Sequence, residues 1–275
     1  MHNYSCSIKP VALLQGFVNN RQLVCKLASR DIVARYKGSV LGMLWSFVNP
    51  VFMLAVYTFV FSVVFQARWH SGIQHSRAEF ALNLFIGLII FNLFAECVTK
   101  APELILHNVN YVKKVVFPLE TLPWVSVTSA LFNALVSFVV WLLFALFVFG
   151  LPPVTSLYLP LILLPLLLFT LGLTWLLASL GVYLRDVAQV INILVTAMMF
   201  LTPIFYPISA IPQPYRHYVY INPLTIIVEQ ARALLIQGQV IHWGGYVISL
   251  VVSAVIAWLG FAWFQKTRKG FADVL

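Results

Sequence analysis

Aromatic rings crowd one stretch of this chain. Phe200, Phe205, Tyr206, Tyr215, Tyr218 and Tyr220 fall within or beside the segment 202–243, which Pro203, Pro207, Pro212, Pro214 and Pro223 break into pieces. Sugar rings present apolar C–H faces that pack on aromatic rings, with polar edges left to hydrogen-bond. A few inward-pointing rings would suit a sugar chain that slides without tight sites. Tyr and Trp also collect at membrane interfaces as a belt, and composition alone leaves both readings open. Other chemistry is missing. There is no G-x-x-x-x-G-K-[ST] phosphate loop, so the chain is not expected to bind ATP in the usual way by itself. No H-E-x-x-H, C-x-x-C or G-x-S-x-G pattern occurs. His2, His70, His75, His107, His217 and His242 are dispersed, and loop or interfacial placement is the default for them. Cys6, Cys25 and Cys97 fit no metal or disulfide spacing and read as small apolar fillers. No metal and no cofactor is expected on this chain.

The elements that would position these residues are six long apolar runs, at 41–65, 82–98, 124–149, 157–183, 187–205 and 244–264. About 20 apolar residues span a bilayer, because the hydrocarbon core is about 30 Å thick and a helix rises about 1.5 Å per residue. The chain is 61% hydrophobic and 9% charged, against about 25% charged for soluble domains. An all-α, six-span membrane protein follows, with residues 1–275 forming a single domain: a region to residue 40 before the spans, the bundle from 41 to 264 and a tail from 265. The polar first ten residues do not read as a cleavable signal peptide. No internal repeat is visible, so an inverted-repeat carrier gets no support.

The net charge of +9 is explained by topology before nucleic-acid binding, and no nucleic acid is expected as a partner. With the N-terminus in the cytoplasm, thirteen of the 17 Lys and Arg lie inside. They are Lys9, Arg21, Lys26, Arg30, Arg35, Lys37, Lys100, Lys113, Lys114, Arg185, Lys266, Arg268 and Lys269. Only Arg68, Arg77, Arg216 and Arg232 lie outside. Both termini are therefore expected in the cytoplasm, and the number of spans is even.

Residues 11–37 are amphipathic. Leu13, Phe17, Val24, Ala28, Ile32 and Tyr36 recur at intervals of four and seven, while Lys26, Arg30 and Lys37 occupy another face. Such a helix lies on the membrane surface as a lipid anchor, or it docks a cytoplasmic partner. Asn49-Pro50 predicts a kink in the first span. Glu96 near the end of the second span reads as structural before it reads as a transport group. The stretch 103–116 is expected to be a short helix between Pro102 and Pro118. Residues 150–156 form a tight uncharged turn, and Arg185 beside Asp186 is read as a local ion pair or helix cap. Segment 224–237 has helical periodicity but is too short to span, so a re-entrant or interfacial helix on the outer side is expected. Broken backbone at membrane depth is tolerated only where protein packs it or where it lines a watery cavity. The scarcity of charge within the spans argues that energy for transport enters from elsewhere.

Five motifs now combine. The run RDIVARYKGSVLGMLWSFVNPVFMLAVYTFVFSVVF, the loop NVNYVKKVVFPLETLP, the turn GVYLRD, the break TPIFYP and the segment INPLTIIVEQAR occur in this order. Together they resemble the permeases of bacterial ABC-type polysaccharide exporters, most closely those for O-antigen. Capsule and teichoic-acid exporters share the plan. The resemblance implies a bacterial inner-membrane homodimer bound to two copies of a separate ATP-binding cassette subunit, which holds the ATP and Mg. The substrate would be an undecaprenyl-diphosphate-linked polysaccharide, with lipid around the bundle. Contact with the ATPase would fall on Lys26, Arg30, Asp31, Arg35, Tyr36 and Lys37, and on Asn108, Asn110, Tyr111, Lys113, Lys114, Phe117, Pro118 and Glu120. The outer re-entrant helices would correspond to 207–237. The expected substrate path includes Trp45, Asn49, Phe52, Phe200, Phe205, Tyr206 and Tyr220. Thr202 stands where the family often has Ser. Two rival readings lack their residues. A secondary transporter needs a coupling-ion site within the spans, and a membrane glycosyl- or phosphotransferase needs clustered carboxylates or histidines at one face.

The basic asymmetry makes a direct prediction. Single-cysteine variants at Ser71 and Pro153 should react with an impermeant thiol reagent added from outside, and one at Lys113 should not. Labelling of Lys113 from outside would invert the topology.

Overall fold

The computed structural model describes residues 10–60, 77–113 and 117–275. The end of the first apolar run, the loop carrying Arg68 and Ser71, and Lys9 and Lys114 lie outside the described residues, as do Cys6, His2, His70 and His75. Among the described residues all regular structure is helical. In chain order the helices are α1 (Pro10–Tyr36), α2 (Trp45–Tyr57), α3 (Arg77–Lys100), α4 (Val109–Lys113), α5 (Thr121–Phe149) and α6 (Leu159–Tyr183). There follow α7 (Val187–Leu201), α8 (Gln213–Val219), α9 (Pro223–Leu235), α10 (Trp243–Thr267) and α11 (Phe271–Val274).

Among the described residues five helical stretches are long and apolar enough to cross a membrane: Gly42–Val60, Ala78–Glu103, Thr121–Phe149, Val154–Tyr183 and Trp243–Val274. The fifth run of the sequence is the exception. Its helix, α7, stops after 15 residues. Pro203 is the cause, because a proline disfavours helical backbone at the residue before it. Thr202 is accordingly extended (φ −81°, ψ 137°). At about 1.5 Å per residue α7 covers about 22 Å, short of the hydrocarbon core.

The closest helix pair is α6 and α10. Gly172 and Gly260 bring their backbones together, and a Cβ at Gly260 would stand 2.0 Å from the Gly172 carbonyl oxygen. Small residues at such a crossing let helices approach without a side chain between them. The 3-10 turn Ala101–Glu103 presses on α6 in the same way, since a Cβ at Gly181 would meet the Pro102 carbonyl at 2.0 Å. This contact explains a departure from the sequence reading. Segment 103–116 is not one helix. Pro102 ends α3, and two tight 3-10 turns, Ala101–Glu103 and Leu106–Asn108, precede the five-residue α4.

Helix α1 bends at Asn20, whose backbone is non-helical (φ −110°) and whose amide donates to the Gly16 carbonyl at 2.9 Å. The middle of its apolar stripe packs inward. Val24 and Ala28 are buried against Val125, and the Phe17 ring lies 4.6 Å from Trp124. The stripe expected to meet lipid or a partner thus meets the start of α5, and Lys26 and Arg30 remain exposed. Asp186 stands at the N-cap of α7, but its side chain makes no capping bond there.

At the opposite end α9 is clamped by a buried arginine. Arg232 Nε donates to the Asn83 carbonyl (3.0 Å), Nη1 to the Pro203 carbonyl (2.6 Å) and Nη2 to the Ile204 carbonyl (2.9 Å). Nη1 also reaches Glu229 Oε1 at 2.8 Å. Gly87 makes room, because a Cβ there would lie 2.9 Å from Nη2. Asn222 caps α9 by accepting from the Leu224 amide (3.0 Å) and donating to Thr202 Oγ1 (2.8 Å). His242 caps α10, its Nδ1 accepting from the Gly245 amide at 3.3 Å.

Removing one partner of a buried ion pair costs about 3 kcal/mol or more. Arg232→Met should therefore lower the melting temperature of the purified protein in detergent well below that of Arg216→Met, whose residue is half-buried. Equal melting temperatures for the two variants would remove the clamp from its structural place.

Candidate functional site

The helix ends that carry most of the basic residues form one face of the bundle, called the basic end here. The candidate docking residues gather there through specific bonds. Arg30 of α1 donates to the Tyr111 hydroxyl at 3.1 Å, and the Tyr111 ring stacks on Phe117 with centroids 4.4 Å apart. Lys113 donates to the carbonyl of Leu275, which brings α11 against α4. Asn108 Nδ2 donates to the Leu104 carbonyl at 2.9 Å and shapes the loop from within. Glu120 accepts from Arg268 at 2.7 Å, and its carbonyl accepts from Trp175 Nε1 at 3.2 Å. A groove of about 290 Å³ runs between α1 and the loop after α3, with Arg30, Asp31, Glu103, His107 and Asn108 on its walls. Lys26, Lys37 and Asn110 are exposed. Pro118 is half-buried beside Phe117.

Arg35 departs from this set. Its guanidinium donates to Glu96 Oε1 on α3 at 2.5 Å, while the residue stays exposed. Burial disfavours the Arg35 charge, but the Glu96 carboxylate and its hydrogen bond outweigh that and hold the guanidinium above its ordinary value. Glu96 also accepts from Lys100 (2.9 Å) and from Asn133 Nδ2 (2.9 Å). The structural reading of Glu96 therefore stands. It joins α1, α3 and α5 at one carboxylate. The spacing of Glu96 and Lys100, four residues apart on one helix, was a readable signal. The pairing of Arg35 and Asn133 with this carboxylate had no sequence signal.

The candidate path residues divide. Trp45 and Asn49 line a cavity of about 580 Å³ with Arg35, Tyr36 and Glu96. Phe52 lies on the exposed side of α2. At the other end Phe200 and Phe205 are neighbours, with ring centroids 5.9 Å apart, and the Tyr206 hydroxyl donates to the Phe200 carbonyl at 2.9 Å. Phe200 and Tyr220 are exposed, and Tyr220 follows the short helix α8. The path residues thus form two groups at opposite ends of the bundle. Sequence reasoning passed over Asn92, Asn133, Ser137 and Arg268. Polar side chains in apolar runs mark the first three.

The arrangement has a hydrogen-bonded basic face at one end and an aromatic-rich, proline-broken segment at the other. The family model described as ABC-2 type transporter matches residues 22–236. An O-antigen export system permease protein, RfbA of Myxococcus xanthus, is 28% identical over 265 residues, covering 96% of this chain and 99% of that protein. The RfbA permease protein of Klebsiella pneumoniae is 28% identical over 255 residues, covering 92% of this chain and 95% of its own. The polysialic acid transport protein KpsM of Escherichia coli is 25% identical over 263 residues, covering 92% of this chain and 96% of its own. On the match over residues 22–236, this chain belongs to the ABC-2 type transporter family.

Proposed function

We propose that this chain is the membrane-spanning subunit of an ATP-driven exporter that moves a lipid-linked polysaccharide of the O-antigen type from cytoplasm to periplasm. The observation that carries this reading is the end-to-end similarity to an O-antigen export permease, which leaves almost none of either chain unmatched. Capsular polysaccharide is the second reading, favoured by the near-full-length similarity to KpsM.

In this reading the basic end is cytoplasmic, both termini lie inside, and the membrane is the bacterial inner membrane. The α7 helix and the turn after it complete a sixth crossing, and α8 and α9 are the outer re-entrant pair. Two copies of the permease face each other through exposed apolar sides of α2 and α7, on which Val48, Val51, Phe52, Val190, Ile193 and Leu194 are exposed. Two copies of a separate ATP-binding cassette subunit, carrying ATP and Mg, dock on α1 and the segment 108–120. Docking there suits the wiring described above. Arg30 and Tyr111 join the two docking elements to each other, and Glu120 ties the second one to α10 through Arg268. Closure of the ATPase dimer would bias the permease between closed and open arrangements, which is a shift of population and not a chemical step. This chain makes and breaks no covalent bond.

Deletion of the gene should abolish surface polysaccharide and leave lipid-linked polysaccharide inside the cell, both restored by a plasmid copy. The purified chain alone should hydrolyse no ATP, with activity appearing only beside the partner subunit. Retained surface polysaccharide in the deletion strain would end the export reading.

The docking segment gives a second test. Replacing Lys113 and Lys114 together by Glu should lower export about tenfold at unchanged membrane insertion, since two reversed charges across an interface are worth more than a kcal/mol. Tyr111→Phe removes the hydroxyl that Arg30 binds and should cost less than the charge reversal. Full export by the double variant would leave those lysines with topology alone.

A further inference from the structure

The cavity of about 580 Å³ at the basic end holds more polar side chains than the fold uses. It lies between α2, α3 and α5. Asn92 on α3 precedes Lys100 by eight residues, about 12 Å along the helix, within a stretch long and apolar enough to cross a membrane. Lipid tails cannot satisfy amides or hydroxyls at that depth. Polar groups in a span face protein, water or a ligand.

The ionic part of the lining is closed on itself. Arg35 and Lys100 both bind Glu96, and Asn133 completes that carboxylate. Among the described residues each of these charged groups has a partner. Uncharged groups face the cavity instead. Asn49 and Asn92 are exposed within it, and neither side chain has a hydrogen-bond partner among the described residues. Each amide offers both donors and acceptors, and Ser137 adds a hydroxyl. Trp45 stands on the same lining with its ring partly exposed. An aromatic face beside planar amides and a carboxylate matches a ring with apolar C–H faces and hydroxyls at its edges. The volume lies within the range of about 300–1,000 Å³ typical of ligand pockets.

We propose that this cavity is a saccharide site, which seats one or two sugar rings of the transported chain at the basic end before they enter the translocation route. The proposal rests on the export reading for its ligand and adds a place of first contact, distinct from the aromatic group around Phe205 and Tyr206. Weak binding suits the task, because each seated ring must leave again as the polymer advances.

The test is capture in living cells. A photoreactive benzophenone side chain placed at Ser137 should, on illumination, give a permease adduct that stains for carbohydrate after periodate oxidation. The adduct should be absent from cells that cannot assemble the polysaccharide. The same probe at Leu143, exposed on the outer side of the same helix, should give no carbohydrate adduct. In an Asn49→Leu, Asn92→Leu background the Ser137 adduct should fall about tenfold, as expected for two lost neutral hydrogen bonds. If that background fails to insert, capture in the otherwise unchanged chain decides. An adduct of phospholipid mass, or no adduct, overturns the saccharide site. In a strain whose deletion mutant has lost surface polysaccharide, that result sinks the site alone. Should the deletion mutant keep its surface polysaccharide, the export reading falls and the site falls with it.

Discussion

A helix that ends inside a membrane leaves carbonyl groups that neither water nor lipid can satisfy. Pro203 stops α7 at Leu201, and the turn that follows carries backbone groups that the protein itself satisfies. The carbonyls of Pro203 and Ile204 are met by one guanidinium, that of Arg232, which also binds the Asn83 carbonyl on α3. An arginine suits the position because its planar fork carries five donors in fixed directions. Glu229, one turn earlier on α9, balances the charge. The turn after α7, the close approach permitted by Gly87 and the docking of α9 therefore meet at a single side chain. Asn222 and Thr202 repeat the connection a short distance away. This end of the bundle is irregular in backbone yet closely determined by hydrogen bonds.

The basic end is held together differently, by aromatic packing and ion pairs between elements far apart in sequence. Phe17, Trp124, Trp175 and Phe261 follow one another with centroid separations of 4.6, 5.8 and 5.2 Å. That row runs from α1 through α5 and α6 to α10. Glu96 joins α1 to α3 and α5, and Arg268 joins α10 to the start of α5. A partner pressing on α1 or on the loop after α3 would displace a connected unit, not a loose loop. Such contiguous contacts are the physical route by which a motion at one face reaches another.

The apolar runs were legible because a bilayer demands length and hydropathy, and both can be counted. The proline-rich segment was legible as irregular for the same reason that it is irregular, the missing N–H and fixed φ of proline. Its internal order was not. Arg232 counted in sequence as an outer basic residue, and only the fold shows it enclosed by carbonyls 28 and more residues away. Similarly, Arg35 was grouped with the docking residues of α1, and only the fold shows its bond to Glu96 on α3. The α1 stripe itself was visible, but periodicity carries no information on whether lipid, a partner or α5 covers it. Segment 103–116 failed as a helix because Gly181 lets Pro102 press against α6, a contact between residues about eighty apart.

Uneven burial shows where movement would cost least. The α6–α10 pair meets backbone to backbone, and Trp141 and Trp175 are fully buried beside α3 and α5. By contrast α2 buries only Ser46 and Leu54, and α7 only Val195. Elements with few buried contacts separate from a bundle at lower free energy than its core. The same two helices carry exposed apolar sides and reach both ends of the molecule, α2 beside the cavity with Asn49 and α7 leading into the Phe200–Phe205 pair. In an exporter, a route bounded by these helices could open and close while the α3, α5, α6 and α10 core stays intact. The core would then serve as the fixed support against which the docking face and the arginine-clamped segment act.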